Sequence, residues 1–211
     1  METKKAERLR KKIATIKRAL AAEKRRFGEY DDGRDLRYLP LALFIKLQDY
    51  PGGLRYTKWF QKNFPGDMAV PDFLFEWTII LFKNGKLIEA EKKAYQAFCS
   101  NTYLFDKFFG KPIVPIKKYE SFNLEHAAFT ENLAYSSKQV PLRDFSAWLE
   151  QITTTEKFIR LSTKFIAVQK RMKTETDQET WGYLMKWSYQ LEHEMCKEAS
   201  RLQKIPGSNG N

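Results

Sequence analysis

KNGKLIEAEKKAYQAF, residues 83–98, is the most informative stretch of this 211-residue chain. Asn84 and Gly85 are typical of a helix C-cap, where the backbone turns through a left-handed conformation. The residues that follow favour a new helix, because Leu, Glu, Ala and Lys are strong helix formers. The small side chains of Ala90 and Ala97 leave room for a neighbouring helix to pack closely. The stretch therefore predicts two helices joined by a tight turn at Gly85.

Three more helical patterns precede this turn, separated by Pro, Gly and Asp residues. We predict helices over 38–47, 53–64 and 73–83, followed by the helix over 86–100. Asp49-Tyr50-Pro51-Gly52 predicts the first turn, and Pro65-Gly66-Asp67 predicts the second. Asp72 follows Pro71 and is expected to be the N-cap of the third helix.

Residues 34–101 resemble a pair of tetratricopeptide repeats, which are helix hairpins with a period near thirty-four residues. The turn glycine Gly85, the Glu89-Ala90 pair and the small residue Ala97 carry the resemblance in the second hairpin. Gly53 takes the place of Ala90 in the first hairpin. The stretch RYLPLALFIKLQDY, residues 37–50, also resembles bacterial tetratricopeptide-like proteins.

The resemblance has two departures. Phe60 stands where the family has a small residue, and Trp77-Thr78 replaces the Leu-Gly pair of the family's first helix. The resemblance implies an all-α fold in which helix hairpins present a concave surface to a peptide or a partner helix. We therefore expect a non-catalytic protein–protein interaction module, an adaptor or assembly factor.

Composition and punctuation divide the chain into four segments. These are a basic amphipathic helix (1–28), two tetratricopeptide-like hairpins (34–101), a C-terminal helical cap (102–205) and a disordered tail (206–211). Capping boxes at Thr153/Glu156 and Thr176/Glu179 divide the end of the cap into three helices. Two hairpins do not form a stable solenoid alone, so the cap is expected to stack on them, either as a bundle or as further degenerate repeats.

If the tetratricopeptide register is right, seven residues line the partner-binding groove. They are Tyr38, Ile45, Lys46, Phe75, Ile79, Phe82 and Lys83. Aromatic anchors beside lysines suit an apolar peptide that carries an acidic side chain or a free carboxylate. The alternative is that these aromatic residues pack against other helices of the same chain.

The net charge of +11 is concentrated at the N-terminus. Residues 1–27 contain eleven Lys and Arg against three Glu, a net charge of +8, and the rest of the chain carries only +3. Leu9, Ile13, Ile16 and Leu20 form one narrow apolar stripe on this helix. The helix can therefore bind nucleic-acid phosphates, lie on an anionic membrane, or dock its stripe on the body or a partner.

The phosphate interpretation gives the alternative function, a nucleic-acid-associated protein. Its candidate contacts, to phosphates or to an acidic partner, are Arg8, Lys11, Lys12, Lys17, Arg18, Arg25 and Arg26.

No motif in the sequence indicates catalysis. His126 and His193 lack a second ligand at metal spacing, and Gly85-Lys86 and Gly110-Lys111 lack the rest of a phosphate-binding loop. We therefore expect no catalytic residue, metal or cofactor, and we interpret His126 as a core residue. The two cysteines are expected to be free thiols, which fits a cytoplasmic location, and no segment is long enough for a transmembrane helix.

Overall fold

The computed structural model describes residues 2–30 and 33–198. Within these ranges the chain forms α-helices, short 3-10 turns and loops, without a β-strand, which confirms the predicted all-α class. The predicted tail (206–211) and residues 31–32 lie outside the described residues. The contacts divide the chain into two compact units, the first ending at Lys86 and the second beginning at Leu87.

The α-helices are numbered here in chain order. They are α1 (Glu2–Phe27), α2 (Leu39–Leu47), α3 (Tyr50–Asn63), α4 (Pro71–Lys83), α5 (Leu87–Ser100), α6 (Leu104–Phe109), α7 (Arg143–Thr153), α8 (Glu156–Thr174) and α9 (Gln178–Glu198). Short 3-10 turns cover Leu36–Tyr38, Asn123–Glu125, Ala127–Asn132 and Val140–Leu142.

In the first unit α2, α3 and α4 pack pairwise, and α1 packs on α2. The core of this unit is strongly aromatic. The ring of Phe60 lies 4.8 Å from that of Phe73 and 5.8 Å from that of Trp77, joining α3 to α4. Such ring pairs contribute about 0.5–1.5 kcal/mol each beyond the burial of their area.

Two helix starts differ from the sequence prediction. Helix α3 begins at Tyr50, inside the predicted turn, because the Asp49 carboxylate caps it by accepting a hydrogen bond from the Gly52 N–H at 2.8 Å. Helix α4 begins at Pro71, with Val70 as its N-cap, so the prediction that Asp72 is the N-cap is wrong. Proline is well tolerated in the first turn, where its missing N–H would have no partner in the helix.

The predicted turn at the end of α4 is confirmed. Asn84 is the C-cap, and Gly85 has a φ of +69°, a conformation that side chains disfavour. The Lys86 N–H donates to the Leu81 carbonyl at 3.0 Å, which closes the end of the helix.

In the second unit α9 packs against α5 and α8. The three predicted C-terminal helices are present, but their N-caps lie elsewhere than predicted. Thr155 rather than Thr153 caps α8, accepting from the Phe158 N–H, and the Asp177 carboxylate accepts from the Thr180 N–H at the start of α9. In both cases the polar residue nearest the first helical turn takes the capping role.

The segment between α6 and α7 is irregular. Helix α6 was not predicted, and beyond it the 3-10 turns Asn123–Glu125 and Ala127–Asn132 take the place of an α-helix. The prediction that His126 is a core residue is wrong. Its side chain is 46% exposed, with Nε2 3.8 Å from the Glu120 carboxylate.

Candidate nucleic-acid interface

Helix α1 is docked on the first unit through its apolar stripe. Ile13 and Ile16 are each 6% exposed, Leu20 is fully buried, and Leu9 is half-buried. Because α1 is amphipathic, burying these residues turns the charged side of the helix toward solvent. Helix α1 therefore docks on α2 through its apolar stripe, and its cationic residues remain exposed to solvent.

The seven cationic residues predicted as contacts are all exposed: Arg8, Lys11, Lys12, Lys17, Arg18, Arg25 and Arg26. Three of them form a regular series with Lys4. Lys4, Lys11, Arg18 and Arg25 are all exposed and are spaced by seven residues, or nearly two helical turns. With a rise of 1.5 Å per residue, they form a row of positive charges about 10 Å apart and about 30 Å long. We call these four residues the cationic row.

Little negative charge compensates the row. Of the α1 carboxylates whose side chains the structure describes, Glu7 pairs with Lys11 at 2.9 Å, with both side chains more than half exposed. An exposed pair of this kind contributes under about 1 kcal/mol and leaves Lys11 available to other anions. Glu23 is 17% exposed and pairs with Arg34, outside the row, at 3.0 Å. The outward face of α1 therefore keeps a strong positive potential.

The residues of the predicted groove do not share one exposed surface. Lys46 is exposed and Tyr38, Phe82 and Lys83 are half-buried, whereas Ile45, Phe75 and Ile79 are buried. The reason is the composition of α4, whose side chains from Phe73 to Leu81 are all buried. Three of the seven residues thus belong to the core in this structure, and their contact with a partner stays a prediction.

Tyr38 also has an internal role. Its hydroxyl donates to the Asp67 carboxylate at 2.7 Å, and Arg37 Nε donates to the same carboxylate at 2.8 Å. Burial and this carboxylate together raise the pKa of Tyr38. The network ties the 3-10 turn before α2 to the turn between α3 and α4, so the Tyr38 hydroxyl is engaged within the unit.

Two polar clusters of the second unit were not predicted from the sequence. Glu91 in α5 accepts from the Tyr95 hydroxyl at 2.6 Å and from Lys157 Nζ of α8 at 3.2 Å. Lys118 is 3% exposed, and its Nζ lies 2.9 Å from Glu120. Both clusters hold charges in satisfied, largely buried pairs, which is typical of structural polar contacts.

A third cluster lies between α5 and α9. Burial lowers the pKa of Lys93 to about 8. Burial also raises the pKa of Glu192, and the positive charge of Lys93 offsets part of that rise. Burial also raises the pKa of Cys99 strongly and that of Cys196 to about 11. Both cysteines are free thiols, as predicted. A raised pKa keeps a thiol protonated and weakly nucleophilic.

The described residues lack two other kinds of site. No group of three or more His, Cys, Asp and Glu side chains among them is placed to hold a metal ion. No helix in the described part of the chain combines the length and apolar character that a membrane span needs.

No protein family model, curated protein or solved structure matches this chain.

Proposed function

We propose that this chain is a non-catalytic binding protein that associates with nucleic acid through the outward face of α1. The observation that carries the proposal is the cationic row, set on the exposed side of a helix whose apolar stripe is buried. The docked stripe fixes the helix in place, so the charges are held in a line rather than on a flexible segment. Phosphate contacts made by such a surface position a nucleic acid without reading its sequence.

A nucleic acid fits this surface better than a membrane does. Ile13, Ile16 and Leu20 are buried, so the apolar face that a membrane-binding helix inserts is already used. Duplex DNA carries one negative charge per about 1.7 Å of its axis, which supplies an anion for every cation along a row of this length. A linear row of charges thus favours a linear polyanion.

Burial separates the two predicted binding surfaces. The groove interpretation needed Ile45, Phe75 and Ile79 at an open surface, and all three are buried. The phosphate interpretation needed exposed cations on α1, and all seven are exposed. A cytoplasmic location is part of the proposal and is compatible with the free thiols of Cys99 and Cys196.

The test compares two charge-reversed variants with the wild type. The row variant replaces Lys4, Lys11, Arg18 and Arg25 by Glu. The control variant replaces four exposed lysines of α8 and α9 by Glu, with the same change in net charge: Lys164, Lys170, Lys173 and Lys186. Fluorescence anisotropy with a labelled duplex of about 24 base pairs, at several salt concentrations, gives both the affinity and its salt dependence.

We expect the wild type to bind with log K falling linearly against log salt concentration. In the row variant this slope should become shallower by about 3–4, or about 0.9 for each phosphate that the row no longer neutralises. The control variant should keep most of the wild-type slope. The proposal is refuted if the wild type does not bind at about 50 mM salt, or if both variants lose affinity equally while circular dichroism shows both folded.

The adaptor function remains a second candidate, and one feature favours it. A Cβ at Gly53 would overlap the side chain of Ile80, and Ala90 and Ala97 are fully buried. The tetratricopeptide resemblance rests on small residues at these three sequence positions, and we propose residues 34–101 as two degenerate hairpins of that kind. In this interpretation the more accessible groove residues, Lys46 and Phe82, contact a protein.

The second candidate has its own test. Affinity capture from nuclease-treated native lysate, read by mass spectrometry, should recover a stoichiometric protein partner. Replacing Lys46 by Glu and Phe82 by Ser should remove that partner, whereas the row variant should retain it. A partner list that falls to background after nuclease treatment would rule out the adaptor function and leave nucleic acid as the ligand.

A further inference from the structure

Helix α3 carries a second set of exposed cations. Arg55, Lys58 and Lys62 are exposed, and no Asp or Glu occurs between Tyr50 and Asn63. They lie three or four residues apart, so they share one face of the helix. This face has no part in the proposed function.

Aromatic contacts connect this face to the edge of α1. Lys24 Nζ lies 4.8 Å from the centre of the Tyr30 ring, and the Tyr30 ring lies 5.4 Å from that of Trp59 in α3. Arg55 precedes Trp59 by four residues and Lys62 follows it by three, so both are its neighbours on the helix surface. The cations of α3 therefore border the same half-buried aromatic pair that Lys24 covers.

A second contact places the middle of α1 beside α3. Lys17 Nζ lies 6.0 Å from the centre of the Tyr56 ring, one helical turn before Trp59. Lys17 and Lys24 are seven residues apart and mark the α1 edge that faces α3. Lys17 and Lys24 thus place positive charge of α1 beside the aromatic residues that Arg55 and Lys62 border.

We infer that α1 and α3 together form a two-helix surface that binds double-stranded nucleic acid, with Arg55, Lys58 and Lys62 contacting a second phosphate strand. The inference rests on the proposed function and deepens it. Lys17 of α1 approaches the Tyr56 ring of α3, and Lys24 approaches the Tyr30 ring, which packs on Trp59 of α3. Long Lys and Arg side chains on the two helices can thus contact the two phosphate strands that flank the B-DNA major groove, which is about 12 Å wide.

The aromatic residues of this surface favour a duplex over a single strand. Proteins that bind single strands stack bases on accessible aromatic rings. Here Tyr56 is 1% exposed, and the ring of Trp59 packs against those of Tyr30 and Phe64 at 5.4 and 5.8 Å. With the rings engaged in each other, the accessible groups of the surface are cations, which contact phosphates rather than bases.

The experiment uses the full-length chain and an α3 variant with Arg55, Lys58 and Lys62 all replaced by Glu. The matched control replaces Lys164, Lys170 and Lys173 of α8 by Glu, which are exposed and give the same change in net charge. Anisotropy titrations use a duplex of about 24 base pairs and one of its single strands, across the same salt series as before. Circular dichroism and thermal unfolding confirm that each variant is folded.

We expect the α3 variant to bind the duplex at least about 10-fold more weakly than the control variant does, with a salt slope shallower by about 2–3. Its affinity for the single strand should change less than its affinity for the duplex. If the α3 variant binds the duplex like the control while the row variant does not, the inference fails and the proposed function stands. Equal losses for the duplex and the single strand would overturn the duplex assignment. Absence of binding by the wild type would refute both.

Discussion

Replacing Gly53 by Ala probes the closest approach between α3 and α4. A Cβ at this position would overlap Cδ1 of Ile80 and would lie 3.1 Å from its Cγ1 and 3.3 Å from its Cγ2. Only Cδ1, the far end of the side chain, overlaps the added methyl group, so the end of Ile80 must rotate away inside a fully buried core. Cγ1 and Cγ2 must also give by a few tenths of an ångström.

Two opposing effects determine the magnitude. Ala is favoured over Gly inside a helix by about 1 kcal/mol. Inserting a methyl group into a packed core costs about 1–3 kcal/mol. We therefore expect Gly53→Ala to lower the free energy of unfolding by about 0–2 kcal/mol. Gly182 in α9 is the matched control, since a Cβ there meets nothing within 4 Å, and Gly182→Ala should raise stability by up to about 1 kcal/mol.

Urea unfolding followed by circular dichroism and Trp fluorescence measures both variants. A double-mutant cycle with Ile80→Ala isolates the contact. Once the crowding side chain is removed, Gly53→Ala should stabilise the protein as Gly182→Ala does. The reasoning is refuted if Gly53→Ala stabilises the protein as much as Gly182→Ala does while Ile80 is present. It is also refuted if the cost of Gly53→Ala is the same with Ile80 present or replaced.

Two further predictions concern buried charges. Asp67→Asn should destabilise the first unit by about 2–4 kcal/mol, because it removes the charge that Arg37 faces at 2.8 Å, with both side chains under 20% exposed. Asp35→Asn, which removes a 69% exposed partner of Arg37, should cost less than about 1 kcal/mol, and urea unfolding compares the two variants. Burial lowers the pKa of Lys93 to about 8, so between about pH 8 and 10.5 the unfolded chain binds more protons and the stability of the second unit should rise with pH. Lys93→Met should remove this rise, and thermal unfolding of both proteins across that range measures it.

The sequence predicted the positions of most helices correctly, but it predicted less well which of their faces are exposed. Asn84-Gly85 correctly predicted the end of α4, because few residues adopt the left-handed conformation that a helix end requires. The N-cap of α4 was predicted wrongly at Asp72. The helix already begins at Pro71, so Asp72 lies in its first turn, where acidic residues are also common. The stretch from Phe73 to Leu81 is buried on all sides, so its periodicity carried no information about which face is open.

The candidate interface shows the same division. The basic composition and the apolar stripe of α1 predicted an amphipathic helix with exposed cations. The seven-residue spacing of Lys4, Lys11, Arg18 and Arg25 is visible in the sequence, so the row itself was predictable. The contribution of α3 had no local signal, because Arg55 and Lys62 border α1 only through the contacts of Tyr30 and Trp59, which depend on the tertiary structure.

The spacing within the cationic row also sets how its charges repel one another. About 10 Å between neighbours equals the Debye length at about 0.1 M salt, so at physiological ionic strength each charge is largely screened from the next. At about 0.01 M salt the Debye length is about 30 Å, as long as the row itself, and all four charges repel together. Lowering the salt concentration therefore strengthens the attraction of the row for a polyanion and at the same time raises the electrostatic cost of keeping α1 folded without one.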